Sequence, residues 1–194
     1  MALSRTAAEI ARSVGDELER QGFRYAIGGA LALGFYAPPR ATVDVDLNIF
    51  VSPDRELDGA LDALRAAGFV AEKQAQDLER QACSEGQFRG FIDGMRIDVF
   101  VPAIPYYARL ADRRRQVPLL GRPIWILGAE DLVVLKLMFH RRKDIADIEA
   151  LLDEQGSTLD REYIRRTLLE LVDGEDERLT TLQAIENDVD RRRE

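Results

Sequence analysis

The stretch ATVDVDLNIFV, residues 41–51, decides how this chain is read. Val43, Val45, Leu47, Ile49 and Val51 alternate with Asp44, Asp46 and Asn48. In an extended chain side chains repeat with period two, so the apolar set lines one face and the acids the other. Asp and Asn are poor strand formers. A half-exposed strand with solvated acids satisfies the pattern; so does a site that needs carboxylates side by side.

Working outward, the chain offers partners for those acids. FRYAI at 23–27 reads as a short strand, and GGALALGFYA at 28–37 as a helix that opens on Gly28 and Gly29 and stops before Pro38-Pro39. QFRGFI and MRIDVFV, joined by Asp93-Gly94, read as a hairpin. Asp98 alternates with Ile97 and Val99 in its second strand. If that strand lies beside residues 43–51, Asp98 joins the face of Asp44 and Asp46, which are themselves about 6.5–7 Å apart along the strand. Like charges at ~4 Å repel by about 4 kcal/mol at a surface dielectric. Protonating one acid or binding a cation relieves this, and carboxylate oxygens with substrate phosphates suit Mg2+. A glycine pair between strand and helix lets phosphate approach backbone N–H groups, or simply makes a tight turn.

The remaining elements set the organisation. Residues 5–21 form an amphipathic helix carrying Ile10, Val14 and Leu18, and a second is expected from Ser52 as cap, with Pro53 in its first turn, to Gly68. RPIWIL reads as a further strand. The segment AEDLVVLKLMFHRRKDIADIEALLDEQG is one helix, or two joined near Arg142; two more helices follow, separated by Asp173-Gly174. We therefore expect a mixed α/β part over residues 1–127 and an all-helical part over 128–194. In an unbroken helix Lys136, His140, Lys143 and Asp147 would share one face.

Composition narrows the function classes. The chain has 194 residues, of which 46% are hydrophobic, enough for a core. Its net charge of −8 argues against a high-affinity non-specific DNA binder, and the basic runs Arg113–Arg115 and Arg141–Lys143 read as solvated charge. Cys83 alone makes no internal disulfide, and no Cys/His spacing suggests zinc. The N-terminal segment has no apolar stretch of signal-peptide type, and no run approaches the roughly 18 apolar residues of a membrane span. A cytoplasmic protein without membrane partners is expected.

Taken together, IGGALALGFYAPPRATVDVDLNIFV and RIDVFV resemble the signature of the DNA polymerase β-type nucleotidyltransferase superfamily: a glycine pair, a DxD strand and a third-carboxylate strand. Within it, RATVDVDL and EDLVVLKLMFHRRKDIADI resemble the AbiEii/MenT-like toxin nucleotidyltransferases. The resemblance covers most of residues 23–155. It implies an α+β fold, a small mixed sheet flanked by helices and followed by a C-terminal helical part. It implies an enzyme that moves a nucleoside monophosphate from a nucleoside triphosphate to an acceptor hydroxyl, with two Mg2+ ions (or Mn2+) as cofactor. Asp44, Asp46 and Asp98 would be the metal ligands, and Lys136 and Asp147 further catalytic residues. Gly28, Gly29, Arg40, Thr42 and Lys136 would bind the nucleotide. Gly29 stands where many superfamily members carry serine. The toxin branch implies a tRNA 3′ end as acceptor and a cognate antitoxin as partner. A small-molecule or protein acceptor, and a non-catalytic nucleotide- or partner-binding module, are the alternatives.

Overall fold

The structure is a computed structural model and describes residues 5–193. Met1–Ser4, part of the segment read for a leader, and Glu194 lie outside the described residues. The chain divides into two units, residues 1–32 with 40–127 and residues 33–39 with 128–194.

The first unit is built on a seven-stranded mixed sheet in the order β3-β4-β5-β2-β1-β7-β6. The strands are β1 (Tyr25–Ile27), β2 (Asp44–Ile49), β3 (Val70–Ala71), β4 (Gln87–Ile92), β5 (Met95–Phe100), β6 (Arg115–Leu119) and β7 (Arg122–Ile126). β2 runs parallel to β5, and β1 parallel to β7; the other neighbours are antiparallel. Pairing of Tyr25 with Ile49, Ile27 with Leu47, Leu47 with Val99 and Val99 with Phe88 gathers the large apolar side chains on one face. All of these are buried.

Helix α1 (Ala7–Arg20) packs on that face, against β1, β2 and β7, and α3 (Leu57–Ala66) packs beside α1. α1 starts where Thr6 and Glu9 form a reciprocal capping box, which satisfies two otherwise orphaned backbone donors. Gly15 leaves room for the Tyr25 ring: a methyl group there would lie 2.4 Å from the phenolic oxygen. The β4–β5 hairpin turns through Asp93 (φ 50°) and Gly94 (φ 79°), the pair of positive angles a two-residue turn of this hand requires.

Several expectations are corrected. α2 spans only Gly29–Leu33; the chain turns where the Tyr36 and Ala37 N–H groups both reach the Leu33 carbonyl. α3 starts at Leu57, not at Ser52. The Ser52 carbonyl accepts from Arg55 and Glu56 in a preceding turn, and Glu56 caps the helix without a side-chain bond. α4 (Ala75–Glu85), α5 (Pro105–Arg113), β3 and β6 had no counterpart in the sequence reading. β6 carries Pro118 on a sheet edge, where a missing N–H is tolerated.

The second unit contains α6 (Ala129–Phe139), α7 (Arg142–Gln155), α8 (Arg161–Leu171) and α9 (Glu177–Arg193). α6 packs on the other three, and the core is made by residues such as Leu132, Leu137, Ile148, Leu152, Ile164, Leu168 and Val189. α6 and α7 are separate helices. His140 takes a left-handed conformation (φ 51°) and closes α6 through its N–H to the Lys136 carbonyl. The Asp144 side chain then accepts from the Arg141 N–H and starts α7. No helix among the described residues is long and apolar enough to cross a membrane.

Candidate functional site

Strand register settles where the acids go. β2 and β5 pair with Asp44 opposite Arg96 and Asp46 opposite Asp98. Directly opposed residues point to the same side of a sheet, and neighbouring strands lie about 4.8 Å apart. Asp44, Asp46 and Asp98 therefore share the face opposite the core. All three are partly exposed.

The turn between β1 and α2 closes onto this cluster. The Gly28 N–H donates to the Asp46 carbonyl at 2.8 Å, so that amide is already engaged. Gly29 has φ +55°, and a methyl group added there would lie 1.7 Å from Asp46 Oδ2. A side chain there would push the Asp46 carboxylate aside, because that carboxylate packs directly over the bare backbone. A Cβ at Gly28 would crowd Asn48 Nδ2 at 3.0 Å and Leu127 at 3.2 Å. Thr42 Oγ1 donates to Asp44 Oδ1 at 2.6 Å and fixes that carboxylate. Arg40 is exposed at the start of the segment leading into β2.

The charge repulsion expected of three neighbouring acids is met by two arginines that the sequence reading passed over. Arg96 forms ion pairs with Asp44 and, through Nε at 3.1 Å, with Asp98. Arg89, opposite Asp98 on β4, reaches Asp98 Oδ1 at 2.6 Å. Its guanidinium is held above its ordinary pKa, first by that hydrogen bond and then by the Asp98 charge. The signal was present in the sequence, since Arg89 and Arg96 alternate with apolar residues as Asp98 does. Tyr107 on α5 is a second omission. Burial and then the Asp46 charge push its phenol up to about 12, which places it within electrostatic reach of Asp46.

Asn48 continues the same face but is buried, with 2% exposure. Its Nδ2 donates to the Ala26 carbonyl at 3.3 Å, while Oδ1 has no partner. It is a polar core residue, not part of a wet strand face.

Lys136 and Asp147 belong to the helical unit, where both are buried. Lys136 Nζ binds Asp147 Oδ2 at 2.6 Å and lies 3.8 Å from Asp144. Arg141 holds Asp144 at 2.6 Å and covers the Phe139 ring. Two bases and two acids thus balance. The break at His140 ends the expected single stripe: His140 contacts Thr181 and Glu177, and Lys143 is exposed.

The donor set suits a hard cation: three carboxylates on adjacent registered positions and no sulfur or imidazole among them. Among the described residues, however, no group of three His, Cys, Asp or Glu side chains converges as a metal site. Arg96 and Arg89 hold Asp44 and Asp98 instead. The residue types fit Mg2+, but two of the three acids are engaged by arginine.

No family model matches the chain, and no curated protein matches it by sequence. Solved structures do. ANT(2'')-Ia, crystallised with adenylyl-2''-tobramycin, matches with a TM-score of 0.60 at 13% identity, over 84% of this chain and 97% of that one. The chain has a nucleotidyltransferase fold. An antigenic nucleotidyltransferase-like protein from Paracoccidioides brasiliensis matches with a TM-score of 0.56 at 20% identity over 92% of each chain. The lincomycin-bound lincosamide adenylyltransferase LnuA gives 0.52 at 15% identity, over 74% of this chain and 94% of that one. The expected α+β class, a mixed sheet with helices and a C-terminal helical region, is the one observed.

Proposed function

We propose that this chain is a Mg2+-dependent nucleotidyltransferase. The observation that carries the reading is the register: Asp46 opposite Asp98, with the Gly29 backbone packed on the Asp46 carboxylate. That arrangement sets acids against a turn where any side chain would displace the Asp46 carboxylate.

Asp44, Asp46 and Asp98 are the ligands for the ion. When bound, Mg2+ supplies charge neutralisation for the phosphates and acidifies a hydroxyl. The chain's own residues do the rest. Thr42 keeps Asp44 oriented. The turn at Gly29 gives triphosphate access to the backbone beyond Gly28, whose N–H is taken. Asp98 accepts the proton of the acceptor hydroxyl as its oxygen attacks the α-phosphorus. The bond from that phosphorus to the bridging oxygen breaks, and pyrophosphate leaves. Positioning and electrostatics supply most of the rate gain. Arg40 and Lys136 are proposed phosphate contacts. Lys136 reaches that role only by leaving Asp147, which becomes a site residue through this exchange.

The acceptor reading follows two lines of support. The KLMFHRRKDIAD segment resembles the toxin branch, which favours a tRNA 3′ end and a cognate antitoxin as partner. ANT(2'')-Ia is complexed with adenylyl-2''-tobramycin and LnuA with lincomycin, which favours a small-molecule hydroxyl. The test is incubation with α-labelled nucleoside triphosphates and Mg2+, with total tRNA in one arm and aminoglycosides or lincosamides in the other. Label transfer by the wild type, lost in Asp46→Ala, is expected. No transfer to any RNA, protein or small-molecule pool, or equal transfer by the variant, overturns the reading.

A further inference from the structure

The most informative group beyond the assigned site is Arg96. It sits on β5, two residues before Asp98 and directly opposite Asp44. One guanidinium spans both acids, binding Asp44 through Nη2 and Asp98 through Nε at 3.1 Å. Nε is shielded from solvent yet makes no well-directed hydrogen bond. The outer part of the side chain is not enclosed; the side chain as a whole keeps 41% exposure. Arg89 satisfies the other Asp98 oxygen at 2.6 Å. The guanidinium therefore bridges the two carboxylates that a cation would need. A cation and the guanidinium cannot both have them.

We propose that Arg96 is the exchangeable counter-ion of this site. It competes with a divalent cation for Asp44 and Asp98, and is displaced when an anionic phosphate ligand draws it away. The inference rests on the nucleotidyltransferase reading for the identity of the anion, but the competition itself rests on the ion pairs. Three physical points support it. A partly exposed pair exchanges its partner at low cost. A planar guanidinium forks onto phosphate as readily as onto carboxylate. Without a counter-ion, the like-charged acids would repel one another. Arg96 thus stabilises the cation-free site and lowers its cation affinity. By linkage, a ligand that removes Arg96 raises that affinity.

The experiment is a Mn2+ titration of the full chain without nucleotide, read by electron paramagnetic resonance of the free ion. Arg96→Gln is expected to bind Mn2+ roughly 3–10-fold more tightly than the wild type, as expected for losing one partly exposed competing pair. Arg96→Lys, which keeps the charge but cannot fork, should fall between them. Arg65→Gln removes an exposed arginine on α3, which pairs with Asp62, and controls for net charge; it should leave the affinity as in the wild type. Thermal unfolding without cation should show Arg96→Gln less stable, with the deficit removed by Mn2+. Unchanged or weaker Mn2+ binding by Arg96→Gln, beside wild-type binding that Asp46→Ala abolishes, overturns the competition and leaves the functional reading standing. No Mn2+ binding by any variant, with or without a non-hydrolysable triphosphate, removes both.

Discussion

Replacing Gly29 with alanine separates the site's geometry from ordinary backbone strain. Two penalties act at this position. The first is conformational: a non-glycine residue at φ +55° costs about 1–2 kcal/mol. The second is steric. The new methyl would lie 1.7 Å from Asp46 Oδ2, 2.6 Å from Cγ and 3.0 Å from Cβ, so the whole carboxylate must move. The carboxylate ends a short side chain beside solvent, so the move costs little folding energy. It carries the group away from its place opposite Asp98, however. Displacement of a reacting group by about 1 Å costs on the order of 100-fold in rate. Gly22→Ala is the control, because φ is +81° there and nothing lies within 4 Å of the added carbon. Urea unfolding should show similar losses for the two variants, about 1–2 kcal/mol each. Nucleotidyl transfer should fall at least about 100-fold in Gly29→Ala only. Equal activity in the two would refute the packing of Asp46 on the turn as a functional constraint.

Other expectations follow from the same contacts. Lys136→Met leaves Asp147 buried without its 2.6 Å partner and should destabilise the chain by about 3–5 kcal/mol in denaturant, with Lys136→Met/Asp147→Leu recovering most of it. Gly156→Ala, at φ 55° and ψ −121° with Arg193 Nη1 2.1 Å from the added carbon, should displace the α9 end from the last carbonyls of α7 and cost at least about 3 kcal/mol. The Tyr107 phenol keeps its proton in the folded chain up to about 12, whereas an unfolded tyrosine loses it near 10. The folded state therefore holds more protons in this window, so stability falls as pH rises from 10 to 12. Asp46→Asn should lower the phenol pKa, seen by ultraviolet titration against Tyr107→Phe. Thr42→Val should remove one of the contacts that orient the Asp44 carboxylate and weaken Mn2+ binding a few-fold, by loss of one charge-assisted hydrogen bond.

The shared face of Asp44, Asp46 and Asp98 was legible because alternation fixes faces: each acid sits between apolar neighbours, and the Asp93-Gly94 turn sets the hairpin. The Arg96–Asp44 pair was not read because it depends on the register of β5 beside β2, whereas the Arg89–Asp98 pair lies across the hairpin that the Asp93-Gly94 turn already aligns and was passed over. The same limit hid Asn48, which is buried and donates to the neighbouring strand's Ala26 carbonyl. The break at His140 was one of two alternatives, two helices joined near Arg142, and helical periodicity alone did not choose it because it does not mark a non-glycine residue in a left-handed conformation. Local turn bonds at Ser52 and Leu33 overrode plausible cap and stop signals and shortened α3 and α2.

The central claim is that Asp46 and Asp98 jointly hold the ion that serves nucleotidyl transfer. Anomalous diffraction from crystals grown with Mn2+ and a non-hydrolysable nucleoside triphosphate tests it most directly. The account predicts a manganese peak between these two carboxylates, with the triphosphate lying along the Gly29 turn and Arg96 withdrawn from Asp44. A bound nucleotide elsewhere on the chain, or manganese density away from this pair, would contradict it.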